Sequence, residues 1–187
     1  MTLLTYQNSK LKHQLIFNLP VSLAICGRQC AGCYALKAQR RFPMVLASCE
    51  RKYQASLLPT FASTIISEIA NFKRPLTAVR LHSSGEFHSQ AYIDQWVTIA
   101  SALPSIKFYA FTKRLSDFDF SKLSALPNFV LINSLQFGGL NYAPVGKLPS
   151  SAFICPVTQH KPVQCGISCT YCMSKVAQTK GVCFVKH

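Results

Sequence analysis

Carboxylates are scarce in this chain of 187 residues, with six Asp and Glu against 20 Lys and Arg and a formal net charge of +14. So small a supply argues against two-metal chemistry, which needs paired carboxylates, and a cluster-dependent nuclease is therefore not expected. The excess of positive charge favours a polyanionic partner such as nucleic acid, against the plainer reading of a basic solvated surface. Long apolar runs are also missing. The longest candidate, Leu15 to Ile25, is broken by Asn18, Pro20 and Ser22, so no membrane span is expected. Lys10 and Lys12 precede that run, but a cysteine motif begins where a cleavage site would fall, and no signal peptide is expected. Charged residues are only 14% against 49% hydrophobic residues, which excludes a disordered chain.

Cysteine, by contrast, is plentiful. The nine cysteines are an odd number, and seven fall in two clusters, which reads as metal ligation in a reducing compartment and not as a disulfide framework. The first cluster is Cys26, Cys30 and Cys33, spaced C-x3-C-x2-C in a loop that ends at Tyr34. Three thiolates fill three corners of a four-iron cluster and leave one iron open, whereas a closed structural site wants four ligands. The alternative is a structural zinc or iron–sulfur site completed by a distant cysteine such as Cys49. The second cluster, Cys165, Cys169 and Cys172, repeats the spacing, and Cys155 supplies a fourth sulfur. Four thiolates make a closed site for a second [4Fe-4S] cluster or for zinc, and ligand softness does not separate the two. A further alternative pools Cys30 and Cys33 with Cys169 and Cys172. Cys49, in a helical stretch, and Cys183, in a short apolar strand, read as small buried hydrophobes.

Hydrophobic periodicity orders the rest. Met1 to Ser9 reads as a tail or a leading edge, and Lys10 to Leu19 as a strand entering the core. Ala35 to Arg41, Val45 to Leu57, Thr60 to Asn71, Ala91 to Leu103 and a short piece within Ser116 to Leu126 read as helices. The amphipathic Thr60 to Asn71 stretch carries Phe61, Ile65, Ile66, Ile69 and Ala70 near one face. Leu76–Leu81, Lys107–Thr112 and Asn128–Asn133 read as strands, and Leu135 to Ser150, with Gly138-Gly139, as loop. This alternation predicts a mostly parallel sheet whose ligands gather beyond the carboxyl ends of the strands. The length is short of a full eight-fold barrel, which takes roughly 250 residues. The expected architecture is an abbreviated, open (β/α) barrel over residues 1–150, with a cysteine-rich C-terminal extension over residues 151–187.

Two loops after strands carry a resemblance. Cys26–Tyr34 looks like the cysteine loop of radical S-adenosylmethionine (SAM) enzymes, and Ser84-Gly85-Glu86 after TAVRLH is similar to their Gly-Gly-Glu motif. The resemblance implies a radical-SAM-like fold, a [4Fe-4S] cluster on Cys26, Cys30 and Cys33, and SAM on the open iron. It also implies that Glu86 holds the SAM ammonium, with reductive cleavage of SAM as the reaction and an electron donor as partner. Thr112, Asn133 and Ser134, at strand ends, are candidates for contacts to the ribose or carboxylate of SAM. Gly32 stands where such loops carry an aromatic residue, and Ser84 stands for the first glycine. The stretches CxxxCxxCYA, RLHSSGEF, YIDQW, FYAFTKR and the tail CP…CxxxCxxC…GVCFVKH resemble the bacteriophage gene-product-eighty-eight-like family from about Leu11 to His187. That implies a phage protein working in the host cytoplasm, with no established reaction. The rival class is a non-catalytic iron–sulfur or zinc protein that binds nucleic acid or a host protein.

Overall fold

A computed structural model describes residues 2–28, 30, 33–136, 141–143 and 147–185. Its frame is a five-stranded sheet in the order β1 (Thr5–Tyr6), β2 (Gln14–Phe17), β3 (Ala78–Leu81), β4 (Phe108–Thr112) and β5 (Phe129–Asn133). β1 runs antiparallel to β2, and the other pairs are parallel. Spatial order follows chain order, as in one arc of a barrel. The sheet ends at β1 and β5 among the described residues, however, and no closure forms between them. The mostly parallel α/β class holds, and the barrel expectation is not confirmed.

Strand period decides what each face meets. Leu15, Phe17, Val79, Leu81, Phe108, Ala110, Phe129 and Leu131 point to one face. There they pack against α4 (Phe61–Ala70), α5 (Gln90–Ala102) and α6 (Ser121–Ala125). Phe17, Phe61, Tyr92 and Trp96 form an aromatic knot at this interface, with ring centroids 5.3–6.4 Å apart. The helical reading of 60–71 holds, and Phe61, Ile65 and Ile69 are its buried residues. Ala70, expected on the same face, is exposed. α5 begins on Ser89, whose hydroxyl accepts from the Tyr92 amide at 3.2 Å.

The opposite face is covered by the C-terminal part of the chain. Ala78, Tyr109, Phe111, Val130 and Ile132 pack against Met173, Ala177 and Val182, joined by Phe153, Cys155, Tyr171, Cys172 and Phe184. This module holds a three-stranded parallel sheet in the order β6 (Tyr142–Ala143), β8 (Val182–Val185), β7 (Phe153–Ile154), with α7 (Lys175–Lys180) beside it. The small sheet draws β6 from before residue 151, inside the stretch expected to be loop. Gly138, Gly139, Pro144 and Gly146 of that stretch, like Gly32, lie outside the described residues.

Three further elements were not read from the sequence as they stand. Pro43, expected to interrupt, instead opens α3 (Pro43–Ser56) behind α2 (Tyr34–Arg41), because a missing N–H is harmless in a first helical turn. The run after Pro20 turns into α1 (Leu23–Cys26), capped by the Ser22 hydroxyl and ended by Gly27 at φ 68°. The N-terminus is a leading edge and not a tail. The Leu3 and Leu4 amides donate to the Glu68 carboxylate at 2.8 and 2.9 Å, and both side chains are buried. Among the described residues no helix is long and apolar enough to cross a membrane.

Candidate metal centres and the strand-end rim

The loops after β2, β3 and β4 meet at one rim. Leu19 N donates to Ser84 O at 3.0 Å, the Ser84 hydroxyl donates to Leu19 O at 3.0 Å, and Asn18 Oδ1 accepts from Ser84 N at 3.2 Å. Gly85 adopts φ 79°, and a Cβ there would lie 2.5 Å from that of Leu19, so its glycine is required by this strand-end seam. Glu86 then turns inward and is 1% exposed. Its carboxylate accepts from Thr112 Oγ1 at 2.8 Å, from Lys113 N at 3.1 Å and from Lys113 Nζ at 3.3 Å. Burial pushes the Glu86 carboxyl up, and Lys113 and Thr112 pull it back only in part. Burial works against the Lys113 charge, but Glu86, Cys30 and Cys26 outweigh it and raise Lys113. The two shifts value the pair oppositely. The Lys113 direction carries more weight, because a quarter of its side chain stays in water (24% exposed) and the pair can remain ionised.

The cysteine triplet sits beside this pair. Cys26, at the end of α1, is buried, and burial raises its thiol. Glu86 and Cys33 add to that rise, and Lys113 opposes it. Arg114 fastens the loop: its Nη1 donates to Ile25 O at 2.9 Å and to Phe87 O at 3.2 Å, and its Nε donates to Asp117 at 2.7 Å. A Cβ on Gly27 would stand 2.9 Å from that guanidinium. Arg28 reaches Lys113 O at 3.3 Å, and the Tyr34 hydroxyl donates to Ser83 O.

The second cysteine group lies at the other end of β2. Lys12 N donates to Cys165 O at 2.9 Å. Gln14, fully buried, donates from Nε2 to Cys165 O at 3.3 Å and toward Cys165 Sγ at 3.8 Å. Tyr109 OH donates to Gln14 Oε1 at 2.6 Å and fixes that amide. Gly166, at φ 95°, comes so close that a Cβ would lie 2.3 Å from Lys12 O. Cys155 N donates to Cys183 O at 2.9 Å at the edge of the small sheet, and Cys172 sits in a 3-10 turn over the main sheet. Burial pushes the Cys172 thiol up to about 12; Arg80 opposes this, and Cys165, Cys155 and Cys169 add to it. The thiols of Cys155, Cys165, Cys169 and Cys172 thus act on one another, and Cys165 lies at the opposite end of β2 from the first group.

Among the described residues no three His, Cys, Asp or Glu side chains stand close enough together to hold a metal ion. The two groups offer thiols, the ligand type a thiophilic metal takes, in unequal number and company. The C-terminal set has four thiols, a glycine cradle, an amide aimed at a sulfur and a buried Arg80 Nε with no partner among the described residues. The N-terminal set has three thiols and a neighbouring lysine, with part of its loop outside the described residues.

A family model described as gene product 88 matches residues 3–170. The chain belongs to that family. No curated protein and no solved structure matches it. The match spans the first cysteine loop, the five-stranded sheet and the second cluster up to Cys169, and ends short of Cys172.

The structure gives the other expected residues the following places. Thr112 and Glu86 are brought together with Cys26, as a shared rim requires. Ser134 N donates to Thr112 O at 2.8 Å, and the Asn133 carboxamide oxygen accepts from Leu135 N at 2.8 Å; both serve the turn after β5. His82 is buried, with Nε2 2.9 Å from Tyr92 OH, and His88 stacks on Tyr92 at 4.3 Å. Both are held neutral by burial, His82 well below its ordinary value and His88 down to about 4. Cys49 is buried beside Ser84 at 3.9 Å, and Cys183 is buried in β8. Lys113, Arg114, Arg80 and Gln14 were not singled out from the sequence as site residues. The only available signal was the basic pair directly after β4.

Proposed function

We propose that the chain is a thiolate–metal protein with two centres of different kind. Cys26, Cys30 and Cys33 hold a [4Fe-4S] cluster at the strand-end rim and leave one iron open, and Cys155, Cys165, Cys169 and Cys172 form a closed structural centre. The observation that supports this most is the company of Cys26: a buried thiol beside Lys113 and Glu86, at the point where the loops after β2, β3 and β4 meet. When bound, such a cluster supplies an electron and a coordination position for the amino and carboxylate groups of SAM. The chain's own residues would then bind and orient. Lys113 offers an ammonium that offsets thiolate charge, Arg114 holds the cysteine loop to Phe87, and Glu86 offers the carboxylate that a bound ammonium would seek.

A specific observation favours a second reading. Glu86 is already satisfied by Lys113 and Thr112 and is closed to solvent, as expected of a structural ion pair in a non-catalytic iron–sulfur or zinc protein. On that reading the +14 charge serves binding to nucleic acid or a host protein in the host-cell cytoplasm.

Anaerobic iron and sulfide analysis with SAM calorimetry separates the two. The first reading expects iron lost on Cys30→Ser, SAM binding by the wild-type protein, and SAM binding weakened by about 1.5–3 kcal/mol in Glu86→Gln with iron retained. Iron without SAM binding leaves the non-catalytic reading, with polyanion affinity that falls steeply with salt. Zinc in both centres and no iron removes the cluster altogether.

A further inference from the structure

The face of β3 that looks toward the C-terminal module carries one charged side chain, Arg80, between Ala78 and the strand end. Its guanidinium lies over the Phe111 ring at 4.4 Å and over the Tyr109 ring at 4.9 Å, and Tyr109 is its direct register partner on β4. Those rings explain how the side chain is held. They do not explain the charge, because a methionine would fill the same apolar slot without desolvating a guanidinium. Nor is the planar fork used up. Nε is buried and has no hydrogen-bond partner among the described residues, although the guanidinium as a whole also meets the Tyr109 hydroxyl, and neither of the ion pairs with Asp or Glu found among the described residues involves Arg80. A buried donor without an acceptor is costly and calls for a missing partner.

Cys155 and Cys172 pack against the same cluster that contains Tyr109 and Phe111, the two rings beneath the guanidinium. Its positive charge acts on the thiols of both Cys165 and Cys172, against their burial. The same Tyr109 that stacks under it bonds Gln14, and Gln14 in turn points its amide at Cys165 Sγ. Two donors on adjacent strands thus approach one cysteine group from the sheet side, one neutral and one cationic. Four thiolates around a divalent metal, or around a four-iron cluster, leave the assembly negative overall.

We infer that Arg80 is the internal counter-charge of the four-cysteine centre, with its buried Nε–H directed to the metal-bound sulfurs of Cys165 and Cys172. This rests on the reading that Cys155, Cys165, Cys169 and Cys172 hold a metal. It makes Arg80 a positioning residue for the ligands, which sets how tightly the metal is kept, and it assigns Gln14 as the neutral companion.

The test uses full-length protein carrying Cys26→Ser and Cys33→Ser, so that metal can reside only in the C-terminal centre. Samples are equilibrated with graded EDTA and desalted, and zinc and iron are then measured. Arg80→Met is expected to give up half its metal at an EDTA concentration at least about tenfold lower than the parent, the scale on which such outer partners act. Arg80→Lys, which keeps the charge and the stem, is expected to stay within about threefold of the parent. Loss of the planar fork alone should be felt far less than loss of charge. If Arg80→Met does not fold, Arg80→Gln takes its place in the same titration. A parent that carries no metal overturns the four-cysteine centre itself. A parent that carries metal, with the neutral variants releasing it at the same EDTA concentration, overturns the Arg80 assignment alone. Equal weakening by Arg80→Lys and Arg80→Met would also overturn it, since packing and not charge would then be what matters.

Discussion

The two cysteine groups share a spacing and almost nothing else. C-x3-C-x2-C occurs at Cys26–Cys33 and again at Cys165–Cys172. The first copy stands at the carboxyl ends of parallel strands, among Glu86, Lys113, Arg114 and Arg28, with Cys26 buried and Cys30 and Cys33 half-buried, as are all four cysteines of the second group. The second lies against the aromatic face of the sheet near the start of β2, gripped by backbone and amide bonds from Lys12 and Gln14. A spacing states how sulfurs are strung along a loop. The surroundings state whether a bound metal stays accessible or becomes part of the core. Strand-end loops are where α/β folds collect ligands, and a face sealed by Tyr109, Phe111 and Met173 is where they collect stability.

The strongest way to break this comparison is to remove one ligand from each copy. Cys172→Ser is expected to cost about 3 kcal/mol or more, because metal binding at such a site is folding energy. For a chain of this size that is a fall in Tm of roughly 6–12 °C. Cys33→Ser is expected to cost under about 1 kcal/mol, since a half-buried loop at a strand-end rim carries little of the fold. Scanning calorimetry on both variants decides it, and equal falls would mean that the two centres do not differ in role.

A second experiment sharpens the comparison at the rim. Arg114→Ala removes the donors to Ile25 O and Phe87 O and the partner of Asp117, and is expected to cost about 2 kcal/mol. Amide hydrogen exchange in residues 22–34 should speed up by about tenfold or more, while residues 153–172 keep their protection. Faster exchange in both segments would show that the cysteine groups are mechanically joined.

The smallest effect concerns acid. His88 lies between Ser56, Tyr53 and Tyr92 on the N-terminal side of the molecule, and burial followed by the charge of Arg114 lowers it to about 4. A histidine lowered on folding takes up its proton more readily in the unfolded chain. Its contribution is therefore complete above about 6.5 and is lost as pH falls toward about 4. Because the ring is only part-buried, the contribution is about 1–2 kcal/mol at most. Denaturant melts at pH 7 and pH 4.5 should show a smaller acid loss in His88→Gln than in the wild type. An identical loss would place the acid sensitivity elsewhere.

Much of the frame was readable before any coordinates. β3, β4 and β5 are short apolar runs, and α4 and α5 carry strong helical periodicity, so local pattern and tertiary burial agree. α1 was missed because four residues after a proline give no periodicity to read. β6 was missed because two residues pair only when β8 arrives from far along the chain. The cysteines were found because their chemistry is local in sequence. Glu86 and Thr112 were each found, but their pairing and the part of Lys113 in it were not. Lys113 and Thr112 reach Glu86 from the next strand, and no spacing announces a contact between residues 26 or 27 positions apart. Arg80 was hidden for another reason: in an alternating strand it reads as the ordinary solvent-side residue, and only the C-terminal module turns that side into an interior.

β8 has a consequence for the order in which the molecule comes together. It is the middle strand of the small sheet, and β6 and β7 pair with it but not with each other. A chain leaving the ribosome can assemble β1 to β5 and their helices early, since each strand meets a neighbour already made. The small sheet has no such sequence of steps. β6 and β7 wait unpaired until Val182–Val185 has been synthesised, and Gln14 waits across 151 positions for Cys165. Throughout that interval the aromatic face of the main sheet and four thiols stand open together. The late strand therefore sets the moment at which the second cysteine group is brought against the main sheet.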